Sequence, residues 1–157
     1  MLTLSDYDKQ KVLAARDMAK KFHYRQMYGE HPYVYHLDQV AYNAQILYNR
    51  DCELSPVQFL QVSYLHDSIE DCKVLEPART VFDIEFAFGK QVLKEVQILT
   101  HYPQVSYDDY IKEVMFSDDA RTIKIADMIA NLMESFSQKN YGLIRKYKKY
   151  LPNLLLQ

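Results

Sequence analysis

A hydroxyl residue followed three positions later by Asp or Gln recurs along this chain, at Ser5 and Asp8, Ser55 and Gln58, Thr80 and Asp83, and Ser106 and Asp109. Each pair has the spacing of a helix start, where the hydroxyl accepts from the N–H three residues on and the partner side chain reaches back toward the cap. Behind each pair, apolar residues return every three or four positions, the period that buries one helical face. A chain that keeps reopening helices, with nothing persuasive at strand period, is expected to be all-α. Only three glycines, and no phosphate-cradling loop or dinucleotide fingerprint, argue against the common nucleotide-binding α/β motifs.

Helix by helix, Val12, Ala15, Ala19 and Phe22 follow Ser5, and the first helix is expected to end near His23. The turn-rich Tyr28-Gly29-Glu30-His31-Pro32 precedes a second helix with a Val40, Ala44, Leu47 and Tyr48 stripe, placing His36 at its entrance. Ser55-Pro56-Val57-Gln58 combines N-cap, Pro at the first helical position and a capping-box Gln, so the third helix has the best-defined start and delivers His66 and Asp67 at its far end. Thr80 and Asp83 are read as opening a helix through Phe82, Ile84, Phe86 and Phe88 that stops at Gly89. Val92, Val96 and Leu99 mark the next, broken at Tyr102-Pro103-Gln104, and Tyr107 to Phe116 the one after. Ile123, Ala126, Ala130 and Met133 make a core stripe in a helix over 119–135, and Leu143, Ile144, Tyr147 and Leu151 another in a terminal helix. The 157 residues suit one domain, 1–157, with a substantial core.

A formal charge of -2 gives no reason to expect a nucleic-acid polymer as partner. Arg145, Lys146, Lys148 and Lys149 form a local basic run, read as a solvated helix face. No apolar stretch approaches the roughly 20 residues of a membrane span, and no basic-then-apolar leader begins the chain, so a soluble, cytoplasmic protein is expected. Cys52 and Cys72 have no CxxC spacing and are expected to be free and reduced.

The run His66-Asp67-Ser68-Ile69-Glu70-Asp71 places one imidazole and three carboxylates directly after apolar Leu60, Val62, Tyr64 and Leu65. An ordinary helix end with a polar turn is one reading. A metal site is the other, because charges drawn toward a core need a neutraliser. Asp127 lies in the otherwise apolar Lys124-Ile125-Ala126-Asp127-Met128-Ile129-Ala130-Asn131, where Lys124, Asp127 and Asn131 share a helical face. A surface Lys–Asp pair is the bland alternative. With His36, the His66–Asp67 pair and Asp127 make a mixed imidazole and carboxylate set from separate helices, suited to Mn, Fe, Zn or Mg more than to a thiolate-seeking ion.

In order along the chain, Pro32-Tyr33-Val34-Tyr35-His36 resembles a PYxxH motif, His66 to Asp71 an HDxxED motif, Phe88-Gly89 with Val92 an FGxxV helix, and Ile125-Ala126-Asp127 with Asn131 a LADxxxN region. Together these resemble the HD-domain metal-dependent phosphohydrolases, and among them the hydrolase domain of the RelA/SpoT-homologue family in its small stand-alone form. The resemblance implies a helical bundle holding one divalent ion, usually Mn2+, through His36, His66, Asp67 and Asp127. It further implies that Glu70 and Asp71 assist the attacking water, and that a small nucleotide meets Arg25, Tyr33, Lys124 and Asn131. The implied reaction is release of pyrophosphate from the 3' position of guanosine tetra- or pentaphosphate. A nucleotide monophosphatase, a cyclic-nucleotide hydrolase, or a nucleotide-binding regulator with little catalysis are the alternatives. This chain offers only Arg25 where the family usually has a basic cluster, His101 where it commonly has Lys, and Leu37 in place of a frequent Pro. Tyr24, Tyr28 and Tyr33 flank the approach to His36 as pocket candidates, whereas Tyr107, Tyr110 and Tyr147 read as half-buried core. His23 and His31 read as a helix-end and a loop residue.

Overall fold

A computed structural model of the chain describes residues 2–72 and 75–156. Helix α1, Asp6–Phe22, opens with the Ser5 side chain accepting from the Asp8 N–H and buries Ala15, Ala19 and Phe22, as its spacing requires. The chain then makes a small antiparallel hairpin, β1 Met27–Tyr28 and β2 His31–Pro32, turning through Gly29 at a φ of 59°. The sequence reading held no strand here, because two-residue strands are too short to show alternation. Helix α2 runs Val34–Leu47, and α3, Pro56–Leu65, carries both halves of the Ser55–Gln58 capping box. Then come the single-turn α4 Ser68–Asp71, α5 Pro77–Phe88, α6 Lys90–Leu99, α7 Tyr107–Val114, α8 Asp118–Ser137 and α9 Tyr141–Leu155.

One helix start is corrected. Glu76, not Thr80, is the N-cap of α5, and Pro77 takes the first helical position that its fixed φ suits. Thr80 is a turn inside, its hydroxyl directed back at the Glu76 carbonyl at 3.5 Å, and Asp83 pairs with Arg79 at 2.9 Å. The buried face is therefore Thr80, Ile84 and half-buried Phe88, four residues apart, while Phe82 and Phe86 stack on the solvent side with ring centroids 6.0 Å apart. Met133 likewise falls off the core stripe of α8 and is 63% exposed.

Helix α3 sits in the middle, packed by α1, α2 and α6, and α8 lies across α2 and is covered by α9. Phe59, Val62 and Leu65 of α3 and Ala120, Ile123, Ala126 and Met128 of α8 have essentially no exposed surface. Burial of each large apolar side chain stabilises by roughly 1.5–3 kcal/mol, so this seam fixes how α2, α3 and α8 meet. Those three helices bring His36, His66 and Asp127 to one place. Among the described residues no helix is long and apolar enough to cross a membrane, and Cys52 and Cys72 are free and half-buried.

Candidate metal centre

His36 stands on the first turn of α2, and Asp38 two residues on is clamped to Arg16 of α1 by two 2.7 Å bonds, which hold that turn against α1. His66 is the C-cap of α3, its Nδ1 2.9 Å from the Ser63 carbonyl. A carbonyl only accepts, so Nδ1 carries the hydrogen and, when the ring is neutral, Nε2 is left as a lone pair. Asp67 is the N-cap of α4, and Asp127 is buried in the middle of α8.

The four groups converge. His66 Nε2 lies 3.1 Å from Asp67 Oδ2 and 3.7 Å from Asp127 Oδ1, and His36 Nε2 lies 3.8 and 3.3 Å from the same two oxygens. His36, His66 and Asp67 can each offer one ligand atom with all three within 4.8 Å. His36 and His66 are almost wholly buried, and His66 Nε2 makes no satisfactory hydrogen bond. Acceptors face acceptors here, an arrangement that repels unless a positive charge lies among them. The titration tendencies say the same. Burial alone would lower His66, but Asp67 and Asp127 reverse it and push it up to about 10. Burial would raise both carboxyls, yet His66 beside Asp67 and Lys124 beside Asp127, helped by the imidazoles, hold them well below the usual carboxylate range. A divalent cation suits this donor set, and the Ser63 bond to His66 Nδ1 is the outer support common to metal-binding imidazoles. His36 differs: among the described residues its buried Nδ1 has no hydrogen-bond partner.

The remaining lone pairs of the carboxylates are claimed by neighbours. Tyr33 donates to Asp67 Oδ2 at 2.5 Å, and burial together with Asp67 keeps that phenol protonated. Lys124 donates to Asp127 Oδ2 at 2.8 Å and Asn131 to Oδ1 at 2.5 Å. Tyr28 donates to Asn131 Oδ1 at 3.1 Å and lays its ring 4.6 Å from that of His36.

Above the cluster is a cavity of about 200 Å³ lined by Tyr33, Asp67, Glu70, Asp71, His101, Tyr107, Tyr110, Lys124, Asp127, Asn131, Lys146 and Tyr147. Glu70 Oε2 accepts from the His101 backbone N–H at 2.9 Å, and burial raises its carboxyl above the ordinary glutamate range despite that bond. Asp71 Oδ2 accepts from Gln26 at 2.9 Å. A larger cavity, about 680 Å³, lies where α1, α3 and α5 begin or end, but it contains none of the clustered imidazoles and carboxylates. Size alone does not locate the chemistry.

No protein-family model and no curated protein matches the chain. Solved structures do. A metazoan ortholog of SpoT, which hydrolyses ppGpp and plays a role in starvation responses, aligns over 99% of this chain and 89% of its own, with 21% identity and a TM-score of 0.73. The two chains share one fold. It is the helical fold expected from the PYxxH and HDxxED resemblance.

Of the residues singled out in the sequence, Tyr33, Asp67, Glu70, Asp71, Lys124, Asp127 and Asn131 border the same cavity, and His36 and His66 meet Asp67 and Asp127 at its base. Arg25 is elsewhere. It lines an adjoining, largely apolar cavity of about 280 Å³ that shares the Tyr33 wall, with its guanidinium over the Tyr24 ring. The basic run is exposed, Lys146 included, and Tyr107, Tyr110 and Tyr147 pack in or against the core, as the sequence suggests; sequence reasoning missed that these four also line the site cavity. Lys146 Nζ stands 4.1 Å from the Tyr107 ring centroid, and burial lowers its pKa. The signal that was present is the apolar flank of that lysine, with Ile144 and Tyr147 drawing α9 onto α8.

Proposed function

We propose that the protein is a divalent-metal-dependent phosphohydrolase of a small nucleotide, with loss of the 3'-pyrophosphate of guanosine 3',5'-bis(diphosphate) as the leading reaction. The observation that carries this reading is the facing of two imidazole nitrogens and two carboxylate oxygens within 3.1–3.8 Å beneath a polar cavity. The likeness of fold to a ppGpp-hydrolysing protein supports the choice of nucleotide.

His36, His66, Asp67 and Asp127 would hold the ion, with Mn2+ the one favoured. When bound, such an ion supplies a more acidic water and a polarised phosphoryl oxygen. Glu70 and Asp71 border the same cavity; they would orient the attacking water and take its proton as its oxygen bonds to the 3'-linked phosphorus, the bond from that phosphorus to the ribose 3'-oxygen breaks with the proton passing to that oxygen, and pyrophosphate departs. Lys124 and Lys146 bring positive charge to the cavity wall for the phosphoryl oxygens. Asn131 and Tyr33 border the cavity and would touch the nucleotide, and Arg25, which lines the adjoining cavity across Tyr33, would reach toward its base.

A second reading, a nucleotide monophosphatase or cyclic-nucleotide hydrolase, draws on the thin positive lining, since Lys124 is already bonded to Asp127. A purely regulatory nucleotide-binding role fits less well with two carboxylates bordering the cavity beside the cluster. A manganese-supplemented screen of nucleotides separates the readings by product: pyrophosphate for the leading one, orthophosphate or a ring-opened monophosphate for the second. His66→Ala and Asp67→Ala are expected to lose both bound manganese and turnover. Full turnover in either variant contradicts the proposal.

A further inference from the structure

Asp71 is not held in the way Glu70 is. The Glu70 carboxylate is fixed by a main-chain donor, the His101 N–H, which no substitution other than proline removes. Asp71 takes its bond from a side chain distant in sequence, Gln26 Nε2 at 2.9 Å. Among the described residues that is the one side-chain hydrogen bond to Asp71, and it engages Oδ2 alone.

Gln26 is itself pinned at every group. Its N–H donates to the His23 carbonyl at 3.0 Å and its carbonyl accepts from the Tyr33 N–H at 3.0 Å. Its side-chain Oε1 lies 2.8 Å from His23 Nδ1. His23 is 4% exposed, stacks on Tyr33 with ring centroids 4.4 Å apart, and is kept neutral by burial. The Asp71 carboxylate only accepts, so the amide N–H faces Asp71 and the amide oxygen faces His23, whose Nδ1 then carries the hydrogen and donates to Oε1. The opposite orientation would set an amide oxygen against a carboxylate oxygen.

We propose that Gln26, oriented by His23, is a positioning residue that fixes the Asp71 carboxylate, leaving Oδ1 directed to the reacting water. This rests on the phosphohydrolase reading for its catalytic consequence, although the hydrogen-bonded chain from His23 through Gln26 to Asp71 does not. Supporting groups of this kind around a site typically affect function 10–100-fold when lost.

The test uses the manganese-loaded protein and two readouts. Gln26→Met keeps the side-chain length and removes the amide. It is expected to lower kcat for guanosine 3',5'-bis(diphosphate) about tenfold or more, with KM and manganese affinity within about twofold of wild type. Gln26→Asn, with a shorter amide, should recover part of the loss. In an Asp71→Asn background the same Met substitution should cost nothing further, as groups acting through one another are not additive. Independently of turnover, the side-chain amide resonance of Gln26 in an NMR spectrum should shift on Asp71→Asn. An equal loss of kcat in both backgrounds, or a Gln26 amide indifferent to Asp71→Asn, overturns the proposal. A wild-type protein that turns over no nucleotide sinks the phosphohydrolase reading instead, and the amide resonance then decides the positioning role by itself.

Discussion

His66 illustrates how a single main-chain contact can prepare a buried imidazole to hold a cation. The Ser63 carbonyl takes the Nδ1 hydrogen, so in the neutral ring the nitrogen facing Asp67 and Asp127 has a lone pair to offer. Glu70 differs from the clustered residues, since it borders the cavity and its Oε2 is bonded to the His101 N–H. Glu70→Ala is therefore expected to retain manganese within about twofold by calorimetric titration while kcat falls about 10²-fold or more. A kcat close to wild type would remove Glu70 from the chemistry. The cluster residues were legible in sequence because each is locally anomalous: a carboxylate in an apolar helix at Asp127, and an imidazole with three carboxylates after an apolar helix at His66 to Asp71. Gln26 carries no such mark. Its partner, Asp71, is brought to it only by the tertiary fold.

At the scale of elements, helix starts with complete capping chemistry were readable, and Ser55–Gln58 forms both of its cap bonds. The α5 start was misread because Thr80 and Asp83 have the spacing of a cap inside a helix that Pro77 had already begun. Between α6 and α8, Glu95 is 5% exposed and accepts from Ser117 Oγ, the N-cap of α8, at 2.5 Å. Burial raises its carboxyl pKa in spite of that bond. A carboxyl that binds its proton more tightly folded than unfolded contributes stability below the ordinary glutamate pKa of about 4.3 and loses it as pH rises through the raised value. Glu95→Gln stays neutral throughout, so its urea midpoint is expected to gain on wild type between about pH 4 and pH 7. A difference between the two proteins that does not change with pH contradicts this.

Across the whole molecule, the division of labour follows the packing. Helix α8 carries Asp127, Lys124 and Asn131 and lies between α2, which carries His36, and α9, which carries Lys146 and Tyr147. The all-α architecture was legible from helical period and caps, and so was the convergence of α2, α3 and α8, because each brought one suspected ligand. The roof of the cavity was not. Lys146 meets Tyr107 only because α9 folds back over α8, and the apolar Ile144 and Tyr147 beside it mark which side of α9 is buried without saying what that side meets. The proposed dependence of nucleotide hydrolysis on a divalent ion held by His36, His66, Asp67 and Asp127 can be examined by stripping the protein with a chelator and assaying guanosine 3',5'-bis(diphosphate) before and after manganese is restored. The expected result is no turnover in the stripped protein and pyrophosphate release that returns with stoichiometric manganese; undiminished hydrolysis by the stripped protein would contradict it.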